Sequence, residues 1–239
     1  MYQTLVKPLA QDIKKFILDT LFPIHCVICD KEGVFICPDC QNQLSPVDRQ
    51  YCIICQKPTP FGLTHPGCQT PHGPDGAISI YNYHDKKVSA VLIDGKYKFL
   101  PGIYQHLGKI LSKKLQTELF SLITEPVLVP LPLHRSRKRW RGFNQAEILC
   151  QTISQELNFP VISALVRKRS TKTQKDLKRD ERLKNMTGAF ALKKGVDVHG
   201  KNLVLIDDVT TTGSTLIEAC QVLKRNGGAK VICLTVAKD

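Results

Sequence analysis

The chain has 239 residues, which is long enough for one sizeable α/β domain and a smaller appendage. Its composition, 42% hydrophobic and 23% charged, is that of a globular protein, and no run is apolar enough to span a bilayer or to form the core of a signal peptide. The net charge of +13 favours a polyanionic partner, and we expect nucleic acid, a diphosphate or both as partners of a cytoplasmic protein.

The first segment, residues 1–23, carries apolar side chains at helical spacing. These positions are Leu5, Leu9, Ile13, Phe16, Ile17 and Phe22. Charged residues, including Lys7, Asp12, Lys14, Lys15 and Asp19, alternate with them, so the pattern predicts an amphipathic helix. Such a helix would dock on the rest of the chain or, alternatively, lie on a membrane surface.

Residues 24–72 form a cysteine-rich module. Each C-x2-C turn places two thiolates on one metal, so the repeated turns predict a double ribbon with two structural zinc ions. The first set closes a site by itself, with the ligands Cys26, Cys29, Cys37 and Cys40. Zinc ribbons of this kind either stabilise a short segment of chain or bind nucleic acid, and the cysteine spacing is compatible with both functions.

The second set of cysteines needs a fourth ligand. It contains Cys52, Cys55 and Cys68, and the sequence offers His65 or His72 to complete it. We predict His65, because the segment from His65 to Cys68 reproduces the spacing of a C-x2-C turn with imidazole in the first position.

From residue 75 to residue 239 strand patterns alternate with helix patterns, which predicts an α/β domain with a parallel sheet covered on both faces. Strands are predicted over 76–84, 126–132, 201–209 and 230–238, and helices over 87–99, 103–119, 143–157 and 216–228. Asn144 stands where a helix cap is expected. Residues 164–194 form a long polar excursion that we predict to be a hairpin.

The segment 204–215, VLIDDVTTTGST, carries the strongest chemical signal. A buried strand ends in Asp207 and Asp208, which suit a cis-diol because each hydroxyl donates to a carboxylate oxygen. Hydroxyls and free amides at the following helix N-terminus suit a phosphate monoester. Although Asp-Asp before a Thr-rich cap is also ordinary turn chemistry, the whole string resembles the phosphoribosyl diphosphate (PRPP) signature of type I phosphoribosyltransferases.

Two further segments extend this resemblance. VPLPLHRSRKRWRGFNQA and the spacing Q…R-x-x-N-x-x-GAF occur in this order behind the double cysteine ribbon. With them, the chain resembles the ComF family, which includes ComFC-like and GntX-like proteins of natural transformation. The resemblance runs over nearly the entire chain from residue 24 and implies a parallel-sheet type I phosphoribosyltransferase-like domain preceded by a double zinc ribbon. His65 departs from the family pattern, which has cysteine there.

The resemblance also implies roles for individual residues. Asp207 and Asp208 would hold the ribose hydroxyls, and a second turn would face the diphosphate and its Mg²⁺. The predicted PRPP site comprises Asp207, Asp208, Thr210, Thr211, Thr212, Gly213, Ser214 and Thr215 with Leu133, His134 and Arg135. His134 has the alternative role of a helix cap, and Thr210 stands where the family more often has an aromatic or aliphatic residue.

The positive charge concentrates in two stretches, 135–141 and 167–184, which hold fourteen basic side chains. We predict that they bind single-stranded DNA, with Trp140 and Phe143 available for stacking. The predicted DNA-binding residues are Arg137, Lys138, Arg139, Trp140, Arg141, Arg169 and Lys172. The alternative is that these charges only solvate a loop or serve the diphosphate.

The motifs together predict a competence factor that binds PRPP and handles single-stranded DNA in the cytosol during natural transformation. DNA-uptake helicase or channel proteins at the inner membrane are candidate partners. The alternative is an active phosphoribosyltransferase that transfers ribose 5-phosphate from PRPP to an unidentified acceptor.

Overall fold

A computed structural model describes residues 23–118, 122–169 and 187–239. The predicted N-terminal helix and the predicted DNA-binding residue Lys172 lie outside these residues. Within them, no helix is both long enough and apolar enough to cross a membrane. The chain divides into two compact units, Met1–Gln43 and Leu44–Asp239, whose boundary lies inside the predicted cysteine module.

The first unit is built on a tight turn and a short helix. Residues 26–31 form the turn, in which the Asp30 amide donates to the Cys26 carbonyl at 2.8 Å. Helix α1, Pro38–Gln41, follows Cys37, whose sulfur accepts from the Cys40 amide and so caps the helix. Ile36 is fully buried beside these thiols.

The second unit contains the predicted parallel sheet. Its strands are β1 (Gly76–Asn82), β2 (Val127–Pro130), β5 (Asn202–Thr210) and β6 (Lys230–Lys238), and they lie in the order β1-β6-β5-β2 with every pair parallel. The segment 160–162 extends the sheet beyond β2, since the Leu128 amide donates to the Pro160 carbonyl. The runs of Val, Ile and Leu are buried along β5 and β6, as a sheet covered on both faces requires.

Helices connect these strands, as the alternating pattern predicted. They are α2 (Lys86–Tyr97), α3 (Pro101–Glu118), α4 (Arg135–Arg141), α5 (Gln145–Leu157) and α6 (Ser214–Arg225), of which α4 was not predicted from the sequence. Asn144 caps α5 by accepting from the Ala146 amide at 3.2 Å. A separate antiparallel pair, β3 (Leu165–Arg167) and β4 (Phe190–Leu192), agrees with the predicted hairpin, whose residues 170–186 lie outside the described ranges.

The connections from β2 and β5 leave in opposite directions. β2 leads through α5 to the segment 160–162 on its outer side, whereas β5 leads through α6 to β6 on the other side. Neighbouring strands with opposite connections create a crevice at their carboxyl ends, which is where open α/β sheets bind ligands. The fold therefore places a ligand crevice after Pro130 and Thr210.

The second half of the cysteine module packs on the edge of this sheet. Residues 45–47 run antiparallel to β1, with the Val47 amide donating to the Ile80 carbonyl at 2.9 Å. The Gln50 side chain then mimics a strand residue, because its amide donates to the Ser79 carbonyl and accepts from the Ser79 amide. An isolated bridge joins Leu63 to Gly76 farther along. The edge strand is thus covered.

Candidate functional site

The first cysteine cluster brings four thiols together. The sulfur atoms of Cys26, Cys29, Cys37 and Cys40 all lie within 4.8 Å of one another. Burial raises the pKa of the Cys26 thiol, but backbone amides directed at its sulfur, first that of Cys37, outweigh burial and hold the pKa at about 6. A set of four soft sulfur donors with amides directed at the thiolates fits Zn²⁺.

The second cluster contains three thiols and one imidazole. The ligand atoms of Cys52, Cys55, His65 and Cys68 also lie within 4.8 Å of one another. His65 directs Nδ1 at the Cys55 sulfur, 3.3 Å away, while its Nε2 lies 3.1 Å from the Pro58 carbonyl. A carbonyl partner on the far ring nitrogen fixes the tautomer that leaves Nδ1 free for a metal. His72 is not part of the cluster, and the set fits a Cys₃His zinc site.

The PRPP-like turn begins where β5 ends. Asp207 is half-buried and accepts from the Asp208 amide at 2.8 Å, whereas Asp208 is buried. Gly213 then adopts a φ of 78°, and α6 begins at Ser214. The Thr212 hydroxyl donates to the Ser214 hydroxyl at 3.1 Å, so polar side chains surround the first turn of the helix. This arrangement can receive a phosphate group beside a pair of carboxylates.

Two cations from distant parts of the chain face these carboxylates. The Lys96 Nζ at the end of α2 lies 2.7 Å from Asp208 Oδ2. Burial and the neighbouring Asp208 raise the pKa of Asp207 to about 7, against the opposing effect of Lys96 and Arg167. Neither cation is assigned to this site by the sequence, because no local pattern indicates that α2 lies along the carboxyl edge of the sheet or that β3 reaches Asp207.

The predicted diphosphate turn follows β2 in the same crevice. The His134 side chain caps α4, with Nδ1 accepting from the Ser136 amide at 3.3 Å, so the structure gives this residue the capping role. A cavity of about 760 Å³ opens beside the turn, between Leu133, His134 and β3. Its charged lining consists of Arg135, Lys138, Arg167, Lys168 and Glu147, a cationic set suited to an anion.

Helix α4 carries most of the predicted DNA-binding residues. Arg137, Arg139 and Trp140 are exposed, whereas Lys138 forms an ion pair with Glu147 at 2.7 Å. Arg169 is also exposed, and its guanidinium donates to the Thr187 carbonyl. Arg137 and Arg139 therefore face solvent beside the crevice, whereas Arg141 is only partly exposed.

An exposed aromatic cluster lies at the junction of α2 and α4. Trp140, Tyr97 and Phe99 are 55%, 60% and 44% exposed. The Trp140 ring contacts the Tyr97 ring at 5.8 Å and the Phe99 ring at 5.2 Å between centroids, in both cases edge to face. Arg141 lies 6.0 Å from the Trp140 centroid. Phe143 instead packs against buried Tyr104, so the partners of Trp140 are residues that the sequence analysis did not select.

Two family models match separate parts of the chain. A double zinc ribbon domain matches residues 17–69, and a phosphoribosyl transferase domain matches residues 144–239. With the observed parallel sheet, these matches confirm the predicted fold class.

Individual relatives match different shares of the chain. The DNA utilization protein YhgH of Escherichia coli K12 is 44% identical over 105 residues, which is 44% of this chain and 45% of that protein. Competence protein F of Haemophilus influenzae Rd is 27% identical over 86% of this chain and 93% of its own length. Competence protein ComFC of Bacillus subtilis 168 is 28% identical over 81% of this chain and 80% of its own length. The chain thus spans less than half the length of the first relative and most of the other two.

We expect the purified protein to contain close to two zinc ions per chain. His65→Ala should lower the content towards one, because it removes the imidazole from the second cluster. His72→Ala is the matched control and should leave the content unchanged. Elemental analysis measures both, and a zinc loss in the His72 variant alone would contradict the assignment of His65.

The raised pKa of Asp207 predicts a pH-dependent stability. The folded chain retains the carboxyl proton up to about pH 7, whereas a free aspartate carboxyl has a pKa of 3.8, so ionisation destabilises the fold as the pH rises through this window. We expect Asp207→Asn to raise the free energy of unfolding by roughly 1–2 kcal/mol above pH 7 and by little below about pH 4 in urea denaturation. Asp197→Asn, at an exposed carboxyl, should change neither value. Equal gains at both pH values would contradict the prediction.

Proposed function

We propose that this ComF-type protein, a double zinc ribbon followed by a phosphoribosyltransferase domain, binds PRPP and handles single-stranded DNA in the cytosol during natural transformation. The observation that carries the proposal is the end of α2, where Lys96 pairs with Asp208 and the next residue, Tyr97, packs against exposed Trp140. The proposed sugar-phosphate site and the exposed aromatic cluster would thus meet at two consecutive residues.

The crevice supports PRPP as the small ligand. Asp207 and Asp208 would accept hydrogen bonds from the two ribose hydroxyls, and the turn at Gly213 would receive the 5′-phosphate. The diphosphate would face the cationic turn at Arg135, where bidentate guanidinium contacts match phosphate oxygens. Mg²⁺ would arrive with the diphosphate and neutralise part of its charge. Lys96 neutralises Asp208 in the free protein, so the diol would share or replace that contact.

The surface of α4 supports single-stranded DNA as the large ligand. Arg137 and Arg139 are exposed for phosphate contacts, and the aromatic cluster of Tyr97, Phe99 and Trp140 presents ring faces and edges on which bases could stack. Catalysis at the crevice has no need of such a cluster. Two of the relatives are named as competence proteins and one as a DNA utilization protein, which supports the same role.

The alternative function is transfer of ribose 5-phosphate to an acceptor. The observation in its favour is the cavity of about 760 Å³ beside the diphosphate turn, which has room for a second molecule. Titration of PRPP and Mg²⁺ into the protein, with and without single-stranded DNA, separates the two functions. Reversible heat that changes when DNA is present indicates a regulated DNA factor. Steady hydrolysis of PRPP to ribose 5-phosphate and diphosphate, with water in place of the missing acceptor, indicates an enzyme.

We expect PRPP affinity to depend on the carboxylates. Removing one charge-assisted hydrogen-bonding group typically costs about 1.5–3 kcal/mol, so Asp208→Ala should weaken binding at least about tenfold in calorimetry. Asp197→Ala removes an exposed carboxylate outside the crevice and should leave the affinity unchanged. A wild-type protein that produces no heat with millimolar PRPP and Mg²⁺ would rule out the proposed ligand.

We expect sequence-independent binding of single-stranded DNA that weakens steeply with salt. Each phosphate contact contributes roughly −0.7 to the log–log slope, so Arg137→Ala with Arg139→Ala should flatten the slope by about 1.4. Lys109→Ala with Lys113→Ala, which removes two exposed charges from α3, is the matched control and should leave the slope unchanged.

The aromatic cluster should contribute to affinity without changing this salt dependence. Trp140→Ala and Tyr97→Ala should each weaken binding by about 1–3 kcal/mol for every base that stacks there, with nearly the wild-type slope. Fluorescence titration with a labelled oligonucleotide measures both quantities. Failure of the wild-type protein to bind single strands at low salt, with PRPP binding intact, would restrict the function to the small ligand.

A further inference from the structure

We propose that Ile53, which lies between Cys52 and Cys55 of the second cysteine cluster, is a positioning residue for the turn at Gly213. PRPP binding would then depend on the metal of the second cluster and not on the metal of the first. The inference rests on the proposed function, because it concerns the turn at Gly213 to which PRPP is assigned. It adds a regulatory input, the zinc occupancy of one cluster, that neither the motif nor the family resemblance contains.

The contact between Ile53 and Gly213 is unusually close. A Cβ built on Gly213 would lie 2.5 Å from Ile53 Cγ1 and 3.0 Å from Ile53 Cδ1. Ile53 thus fills the space that a side chain at position 213 would need, and it does so while itself only 3% exposed. The φ of 78° at Gly213 also favours glycine. Ile53 therefore forms one wall of the turn that begins α6.

Because residue 213 is a glycine, the conformation of the turn depends on the packing of Ile53 against it. A glycine-containing turn has many accessible backbone conformations, and a phosphate site requires that its amides keep one of them. Since Gly213 has no side chain, packing from another element must restrict its position. Ile53 supplies this packing, and the same hydrophobic core contains Leu216 and Ile217 from the first turns of α6.

The position of Ile53 is determined by the cluster around it. Ile53 follows Cys52 directly, and Cys55 comes two residues later, so two predicted metal ligands flank it. The local turn is closed by the Gln56 amide, which donates to the Cys52 carbonyl at 2.8 Å, and by the Gln56 side chain, which donates to the Ile53 carbonyl at 2.9 Å. When Zn²⁺ is bound, Cys52 and Cys55 are fixed to one ion and Ile53 is held between them.

The sheet holds the other end of this segment. Gln50 makes two hydrogen bonds to the Ser79 backbone, and the Lys238 Nζ lies 4.8 Å from the centroid of the Tyr51 ring at the carboxyl end of β6. The strand side of the segment is therefore anchored without a metal. The cluster holds the Ile53 side chain against Gly213. Loss of the metal would free Ile53 from this position, while Gln50 and Tyr51 would stay attached to the sheet.

The first test truncates the contact and leaves the ligands in place. Ile53→Ala should weaken PRPP binding about tenfold in calorimetry with PRPP and Mg²⁺, while the zinc content stays at the wild-type value. Ile36→Ala is the matched control, because Ile36 is an equally buried isoleucine that directly precedes a ligand of the first cluster. It should leave the PRPP affinity within about twofold.

The second test removes one metal at a time. Cys55→Ser and Cys29→Ser should each lower the zinc content by about one ion, but only Cys55→Ser should weaken PRPP binding. Circular dichroism checks that both variants are folded. If Cys55→Ser does not fold, the Ile53→Ala result decides, because that variant keeps all eight predicted ligands.

A double-mutant cycle isolates the contact itself. Gly213→Ala should weaken PRPP binding strongly in the wild-type background and less in the Ile53→Ala background, since truncation of Ile53 makes room for the new methyl group. Additive losses would show that the two residues act independently and would overturn the inference. Wild-type affinity in both Ile53→Ala and Cys55→Ser would overturn it as well. A wild-type protein without PRPP binding would instead overturn the proposed function, so the two failures are distinguishable.

Discussion

Two adjacent acidic side chains at the buried end of β5 impose the electrostatic requirement on which the candidate site depends. Burial and mutual repulsion raise the pKa of Asp207 to about 7, so the carboxylates need cations close by. Lys96 and Arg167 meet this need from α2 and β3. One electrostatic condition thus joins three elements that are far apart in the sequence.

The elements that supply these cations also carry the outer surfaces of the site. Tyr97 follows Lys96 and belongs to the exposed aromatic cluster, while Arg167 lines the cavity beside the turn at His134. A ligand that displaced Lys96 from Asp208 would therefore act one residue away from the aromatic cluster. Short covalent connections of this kind provide a physical route for coupling between a small ligand and a strand of nucleic acid.

The two cysteine clusters differ in their surroundings although their spacing is similar. The first lies in the compact unit Met1–Gln43, whereas the second packs on the edge strand β1 within the unit that contains the sheet. Coverage of β1 removes an exposed edge, which is a structural benefit independent of function. The approach of Ile53 to Gly213 goes further, because it brings the second cluster into contact with a turn of the candidate site.

The sequence by itself determined the fold class, the four strands β1, β2, β5 and β6, the helices α2, α3, α5 and α6, and the composition of both cysteine clusters. Each rests on a local signal: the alternation of buried strands with amphipathic helices, the cap at Asn144, or the spacing of thiols along a turn. The motif at Asp207 likewise identified the turn at the carboxyl end of β5, because parallel sheets present their loops at that edge.

The tertiary structure alone decided which residues surround that turn. Lys96, Tyr97 and Phe99 reach the site because α2 lies along the carboxyl edge of the sheet, and Ile53 reaches Gly213 because the second cluster packs on β1. No periodicity or spacing in the sequence predicts these contacts between distant elements. They depend on how separate elements pack, and packing is set by the summed burial of the whole domain rather than by any one segment.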